Sequence, residues 1–430
     1  MATPTKKVAF HTLGCKLNFS ETSTISREFM KNGFEKVKFN ELADFYILNT
    51  CSVTENADKE AKKLIRRAKK NNPFSKVAVI GCFAQLQPKS ISKIDGVDIV
   101  LGANEKYNLL KYLDKISIGA PKTIRYSDID NVKEFIPSFS LYERTRAYLK
   151  VQDGCDYTCS FCTIPLARGR SRSGTISTTI KAAEEIANSG KKEIVLTGVN
   201  IGDFGKGSDD SFINLITELD KVEGIDRIRI SSIEPNLLTN EIIEFCNFST
   251  KFMPHFHIPL QSGSNKILRA MRRRYDKEVY KNRIKKIKKV NPDTCIGVDV
   301  IVGFPGESDD DFLETYKFLM ELDISYLHVF SYSERAGTDA IKLNGKVQKS
   351  VKAKRSKMLH ILSEKKTRVF HNKFINKKRP VLFEGFKNAK LVGFTDNYIK
   401  TVLEPPSPYK NKIININLIK VEGNHMIGFV

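Results

Sequence analysis

Residues 148–173 read YLKVQDGCDYTCSFCTIPLARGRSRS. Tyr148–Gln152 has the apolar alternation of a strand, and three cysteines, Cys155, Cys159 and Cys162, follow it directly. Three thiolates so closely spaced can wrap one metal centre. A structural zinc site wants four closed ligands, and no fourth partner lies nearby. A 4Fe–4S cluster held by three cysteines keeps one iron open for a substrate or cofactor. A zinc knuckle with a distant fourth ligand is the alternative.

Downstream of this loop, strand patterns recur at Glu193–Thr197, Arg227–Ser232, His255–Pro259, Ile296–Val302 and Leu327–Tyr332. Helical patterns lie between them, as at Thr178–Asn188, Asp276–Val290 and Asp309–Leu322. Such strand–helix units predict a partial (β/α) barrel over residues 141–375, with chemistry at the C-terminal strand ends. Upstream, short apolar strands (Lys7–Leu13, Phe45–Asn49, Lys76–Ile80, Ile99–Leu101) alternate with helices (Glu21–Asn32, Ala57–Asn71, Lys106–Leu113). That alternation predicts a doubly wound parallel sheet over residues 1–120. Residues 121–140, with weak periodicity and Pro137, read as a linker. A long basic helix, Val351–Phe374, leads into residues 376–430, whose short strands and turn residues predict a small β-barrel. The fold class is therefore α/β, in three domains.

The upstream cysteines stand at equivalent places. Cys15, Cys51 and Cys82 each fall just past a strand, in VAFHTLGC, FYILNTC and VAVIGC. C-terminal strand ends of an open parallel sheet converge on one crevice, so three cysteines distant in sequence are expected to meet there. Gly14 and Gly81 let the backbone approach a bulky cluster. Buried core thiols are the alternative for this set, and the default for Cys246 and Cys295.

The net charge is +22, and +15 of it sits between Ile341 and Val430. An excess of that size points to a polyanion, most often nucleic acid. No apolar run approaches the length of a membrane span, and MATPTKKVAF has no signal-peptide core. A cytoplasmic protein with no membrane partner is expected.

The motif Gly154–Ser173 resembles the signature of the radical S-adenosylmethionine methylthiotransferases, and the likeness extends over nearly the whole chain. TLGCKLNFSE, LNTCSVTENADKE and VIGCFAQ are similar to the family's N-terminal domain. VLTGVNIGDFG, RISSIEP, HIPLQSGSNKILRAMRRRY, GVDVIVGFPGES and FSYSERAGTDA are similar to its barrel motifs. The C-terminal segment resembles the family's small RNA-binding barrel, the TRAM domain. Cys15-Lys-Leu-Asn18 resembles the branch that acts on threonylcarbamoyladenosine in tRNA, rather than those acting on isopentenyladenosine or on a ribosomal-protein aspartate.

The resemblance implies two 4Fe–4S clusters, one on Cys155, Cys159 and Cys162 and one on Cys15, Cys51 and Cys82. It implies S-adenosylmethionine at the open iron of the first and a transferable methylated sulfur on the second. It also implies a tRNA anticodon stem-loop as partner, with modification at carbon 2 of adenosine 37. The electron and sulfur donors remain unassigned. A non-catalytic iron–sulfur RNA-binding protein is the rival of another class. Polar residues at barrel strand ends are then candidates for S-adenosylmethionine: Gly198, Asn200, Ser232, Glu234, Gln261 and Asp299, with Phe161 against the adenine. Arg168, Arg170 and Arg172, on alternating positions, either line a channel or form a solvated edge. Arg272–Arg274 cap another rim and suit phosphates. In the last segment Phe383, Phe386, Phe394, Tyr398 and Tyr409 interleave with lysines, a pattern that stacks bases. At most two of them are expected to touch RNA. His11, His255 and His257 are expected to be structural.

Overall fold

The computed structural model describes residues 5–51, 55–113, 122–141, 144–403 and 408–430, with the backbone alone for 55–58. Six parallel strands form the first sheet: β1 (Lys7–Thr12), β2 (Glu35–Val37), β3 (Phe45–Thr50), β4 (Lys76–Gly81), β5 (Ile99–Leu101) and β6 (Thr123–Arg125), in the order β2-β1-β3-β4-β5-β6. Every residue of β3 is buried, as a central parallel strand covered on both faces must be. Its alternate side chains divide between two cores. Tyr46 and Leu48 pack with Ala61, Leu64 and Ile65 of the helix Glu55–Asn71, while Phe45 and Ile47 pack with Ile25 and Phe29 of the helix Lys16–Lys31. The order reverses between β1 and β3, which places the sheet's binding crevice there. Cys15 and Cys51 follow those two strands.

Two expectations need correction. The first helix begins at Lys16, not Glu21. Its opening turns bury polar residues, including Asn18, Ser20, Glu21 and Thr22, so no apolar stripe marks them. The stretch expected as a linker supplies β6, which adds to the edge of the sheet by pairing with β5. It also supplies Ser138–Phe139 (β7), paired antiparallel with the next strand. The boundary expected at residue 120 falls outside the described residues.

The second unit opens with β8 (Ala147–Lys150). A two-residue ribbon of β9 (Gln152–Asp153) and β10 (Arg172–Ser173) frames the cysteine loop. Then come β11 (Glu193–Thr197), β12 (Arg227–Ile230), β13 (His255–His257), β14 (Cys295–Val302) and β15 (Tyr326–Ser331). β8, β11 and β12 run parallel in one set, as do β13, β14 and β15 in another. Bridges from Ile228 to Phe252 and from Ser232 to His257 join them into one curved sheet, open between β15 and β7–β8. One alternate set of side chains (Ile194, Leu196, Ile228, Ile230, Val298, Val300) enters the apolar core beneath the helices. The other set turns inward and is polar: Glu193, Arg227, Arg229, His255, His257, Asp299 and His328. The first helix meets the open side, where Phe19 packs edge-on to Tyr148.

The helix Lys349–Asn372 crosses the back of β15 and leads to β16 (Lys377–Lys387), β17 (Lys390–Thr395), β18 (Lys400–Leu403), β19 (Ile413–Glu422) and β20 (His425–Phe429). These five close into a barrel around Val381, Phe383, Leu391, Ile416 and Met426. It docks on the N-terminal end of the partial barrel. Arg227 donates to the carbonyls of Phe394 and Pro380, and Arg229 to those of Asp396 and Thr395. Tyr398 stacks on His255 at 4.1 Å. Of the five interleaved aromatics, Phe383 is core, Phe394 and Tyr398 fill this joint, Tyr409 is half-buried, and Phe386 alone is exposed, at 58%.

Candidate functional site

The loop after β8 cannot pass Gly154 with any other residue. Its φ is +69°, and a Cβ would lie 1.9 Å from the Arg170 carbonyl. Ser160 then pins the loop by donating its backbone N–H to Met271 and its hydroxyl to the Ala270 carbonyl. The result is a cavity of about 220 Å³ lined by Cys155, Cys159 and Cys162. Burial pushes the Cys155 and Cys162 thiols up to about 12 and raises Cys159. Unmetallated, they are neutral at physiological pH, so a metal must displace their protons. N–H groups already point at the sulfurs: Tyr157 to Cys155 at 3.4 Å, Ile164 to Cys162 at 3.5 Å, and Arg273 to Cys159 at 3.1 Å.

Six of the seven strand-end candidates line this cavity: Phe161, Asn200, Ser232, Glu234, Gln261 and Asp299. Gly198 does not. It packs against the Gln152 side chain, whose Oε1 accepts the next two backbone N–H groups. The cavity wall holds an unsatisfied polar group: Asn200 donates to Asp203, while its own Oδ1 is buried and has no hydrogen-bond partner among the described residues. Glu234 is paired with Arg273, yet burial raises its carboxyl above the ordinary range. Asp299 is held ionised: it accepts from His257 Nε2 at 2.8 Å and His328 Nδ1 at 3.2 Å. Ser232 Oγ meets His257 Nδ1 at 2.6 Å. An iron–sulfur centre with one open position suits these three sulfurs. A ligand carrying ammonium and hydroxyl donors suits Asn200 Oδ1 and Glu234. A second cavity of about 240 Å³ continues from Phe161, Gln261 and Asp299 toward Phe330 and Tyr332.

The other three cysteines converge as the strand ends predict. A Cβ on Gly14 would lie 2.6 Å from that of Cys51, and Cys82 is within electrostatic reach of Cys15. Polar side chains tie the strand ends together. Asn18 Nδ2 donates to the carbonyls of Leu13 and Thr50, and Thr50 Oγ1 to that of Ile80. Cys15 is exposed, Cys51 half-buried and Cys82 buried, and burial raises the Cys82 thiol.

Of the arginines after the loop, Arg170 is exposed, as a solvated edge or channel wall would be, and Arg172 is half-buried, but Arg168 departs from that expectation. Arg168 is buried, not facing solvent. It closes the short helix Ile164–Arg168 and donates to Asn18, to Glu21 at 2.9 Å and to Asp153 at 2.9 Å. Lys106, Lys150 and Arg172 complete this buried ionic cluster between the two units. Arg273 turns to the Cys159 sulfur and the exposed Arg274 lies over Tyr157, while the exposed Arg272 pairs with Asp339. Sequence reasoning missed Tyr157, Gln152 and His328; it named Asp299 but not its histidine partners, and read Arg273 for phosphate and His257 as structural.

Comparison with known proteins bears on this arrangement. A model described as an uncharacterized protein family, UPF0004, matches residues 7–102, and the Radical SAM superfamily matches residues 149–319. The chain is 42% identical over 96% of its length to a Bacillus subtilis protein named threonylcarbamoyladenosine tRNA methylthiotransferase MtaB, covering 94% of it. An Aquifex aeolicus protein of the same name is 39% identical over 91% of the chain and 95% of its own length. A Clostridium perfringens tRNA-2-methylthio-N(6)-dimethylallyladenosine synthase is 30% identical over 98% of the chain and 97% of its own length. Among solved structures, the radical S-adenosylmethionine methyltransferase TsrM of Kitasatospora setae shares the fold, with a TM-score of 0.56 at 14% identity over 76% of this chain and 73% of that one.

Proposed function

We propose a substrate and a division of labour for this chain, which belongs to the family of radical S-adenosylmethionine tRNA methylthiotransferases. The substrate is the anticodon stem-loop of a tRNA carrying threonylcarbamoyladenosine at position 37, and a methylthio group is placed on carbon 2. The observation that carries this reading is two three-cysteine sets, one lining the cavity and the other tied to it through Arg168, which bonds both Asn18 and Asp153 and lies within electrostatic reach of Cys82 and Cys15. The names of relatives aligned over nearly the whole chain support the nucleoside.

In this reading Cys155, Cys159 and Cys162 hold one 4Fe–4S cluster, and Cys15, Cys51 and Cys82 a second. When bound, these groups supply reductive cleavage of S-adenosylmethionine at one side and a methylated, transferable sulfur at the other. The chain's residues do the rest. Arg273 directs an N–H at the Cys159 sulfur and holds Glu234 in the cavity wall. Asn200 Oδ1 and Glu234 accept hydrogen bonds from the cofactor's ammonium or ribose hydroxyls. Phe161 covers its adenine at the junction of the two cavities. Residues 1–120, 141–375 and 376–430 act as the sulfur-donating, radical-generating and RNA-holding domains of a cytoplasmic enzyme. Among the described residues no helix is long and apolar enough to cross a membrane.

The test uses anaerobically reconstituted protein, reductant, S-adenosylmethionine and tRNA bearing threonylcarbamoyladenosine, followed by nucleoside mass spectrometry. A methylthio adduct on that nucleoside is expected. Cys159→Ala should abolish cofactor cleavage, and Cys51→Ala should spare cleavage but stop the adduct. An adduct only on isopentenyladenosine tRNA overturns the nucleoside. Intact clusters without cleavage overturn the enzyme reading.

A further inference from the structure

Inside the curved sheet, three side chains from adjacent strands meet. His257 on β13, Asp299 on β14 and His328 on β15 bring two ring nitrogens and a carboxylate oxygen within 4.8 Å of one another. Strand register places them there, since Asp299 faces His328 directly and His257 faces Gly297, two residues before Asp299. Both rings turn to the same oxygen: Asp299 Oδ1 lies 2.8 Å from His257 Nε2 and 3.2 Å from His328 Nδ1. A carboxylate has two oxygens, so two hydrogen-bond donors alone could take one each. Convergence on one oxygen is the arrangement of ligands around an ion. Metal–ligand bonds of about 2.0–2.1 Å set neighbouring ligand atoms roughly 3.0 Å apart in octahedral and roughly 3.3 Å apart in tetrahedral geometry. The two observed separations bracket the first value. Support behind the ligand is also in place: Ser232 Oγ, 2.6 Å from His257 Nδ1, holds the far side of that ring while Nε2 faces the site. Access is open, because the His328 side chain is 52% exposed. Asp299 lines both cavities already described, and His328 lines a third, of about 230 Å³, with Tyr326, Tyr398 and Lys400. Three protein ligands beside open space match a centre that keeps coordination positions free.

We propose that His257 Nε2, Asp299 Oδ1 and His328 Nδ1 form a site for one divalent transition-metal ion, such as zinc or ferrous iron, with its free positions open to water or to a carboxylate or hydroxyl ligand. Two imidazoles and a carboxylate suit such ions better than magnesium or calcium, which take oxygen ligands. On binding, each ring keeps one proton at its other nitrogen. His257 Nδ1–H donates to Ser232 Oγ, and His328 Nε2–H is left to solvent. The site uses none of the six cysteines and does not depend on the nucleoside proposed above.

The experiment titrates Zn²⁺ into the untagged, reconstituted full chain by calorimetry, with iron and sulfide assayed before and after to show that zinc displaces neither. Uptake of one zinc per chain is expected. His328→Gln and Asp299→Asn should abolish it, and Ser232→Ala should weaken it about tenfold to a hundredfold, the usual cost of losing the group behind a ligand. With Mn²⁺ in place of zinc, pulsed electron paramagnetic resonance should show two imidazole nitrogens on the ion. His328 is half exposed, so its variant decides the matter even where Asp299→Asn fails to fold. No zinc taken up by wild type, equal uptake by wild type and His328→Gln, or manganese without imidazole nitrogen each overturns the proposal and leaves the three side chains as a hydrogen-bonded group.

Discussion

The buried ionic cluster between the sheet and the partial barrel makes a quantitative prediction for Glu21→Gln. Glu21 is 0% exposed and faces Lys106 at 2.7 Å, Arg168 at 2.9 Å and Lys150 at 3.6 Å. Burial alone would raise its carboxyl, but the three cations overcome it, Arg168 first, and hold it down to about 2. An unfolded glutamate ionises near 4.3, so the folded state gains about 3 kcal/mol from this carboxylate. That gain is complete above about pH 5 and is lost as the pH falls toward 2, because only the ionised form is favoured. The neutral amide would leave the cations with Asp153 alone, a loss of about 3–5 kcal/mol at neutral pH. Denaturant unfolding, followed by a probe in the first sheet, checks the magnitude and its decline between pH 5 and 3. The variant should also bind less iron at Cys15, Cys51 and Cys82, since Arg168 anchors the Asn18 that ties those strand ends. A variant within about 1 kcal/mol of wild type at pH 7, or one with an unchanged pH slope, refutes the argument.

Two further outcomes are expected. Gly81→Ala places a Cβ 2.3 Å from Asn49 Oδ1 and 2.6 Å from the Thr50 carbonyl at φ +96°. It should cost at least about 2 kcal/mol in calorimetry and lower iron at the Cys82 site, whereas full stability would remove the close approach from the argument. Lys387→Gln with Lys410→Gln, beside exposed Phe386, should weaken tRNA binding and reduce its salt slope by roughly one to two; an unchanged slope would move the RNA face elsewhere.

Much of this fold was legible because burial and periodicity coincide in it. The strand Glu193–Thr197 is observed as expected, and the helix ending at Asn71 begins only two residues early. Several failures lie where burial is polar. The first turns of the helix Lys16–Lys31 hide Asn18, Ser20, Glu21 and Thr22 against the second unit, and no one-dimensional pattern separates such a face from a solvated one. Arg168 and Arg273 carry the residue type of a phosphate contact, and only the fold shows their carboxylate and thiol partners. The short strand Thr123–Arg125 has one apolar residue and exists through pairing with Ile99–Leu101, a long-range contact that its own sequence does not announce. The six cysteines proposed to hold clusters escaped this problem because their positions are topological. Cys15, Cys51 and Cys82 each stand just past a strand end, and Cys155, Cys159 and Cys162 share the loop that follows one, places that both sheet types devote to chemistry.

The polar character of the joint between the two units follows from what the chemistry requires. An apolar interface of similar area would hold them together as firmly, but it tolerates sliding, since dispersion and hydrophobic contacts are non-directional. The proposed sulfur transfer tolerates none: under it one adenine ring meets a radical source on one side and a sulfur on the other, and misplacement of an ångström costs heavily. Arg168 stands six residues after Cys162, and its planar fork reaches Asn18, three residues after Cys15, together with Glu21 and Asp153. Any shift between the units breaks several directional bonds at once and strands buried charge. The same residue lies within electrostatic reach of Cys82 and Cys15. A buried guanidinium at this point thus sets the distance between the two cysteine sets and places positive charge beside the second. Leucine or methionine in its place would supply cohesion and neither of these.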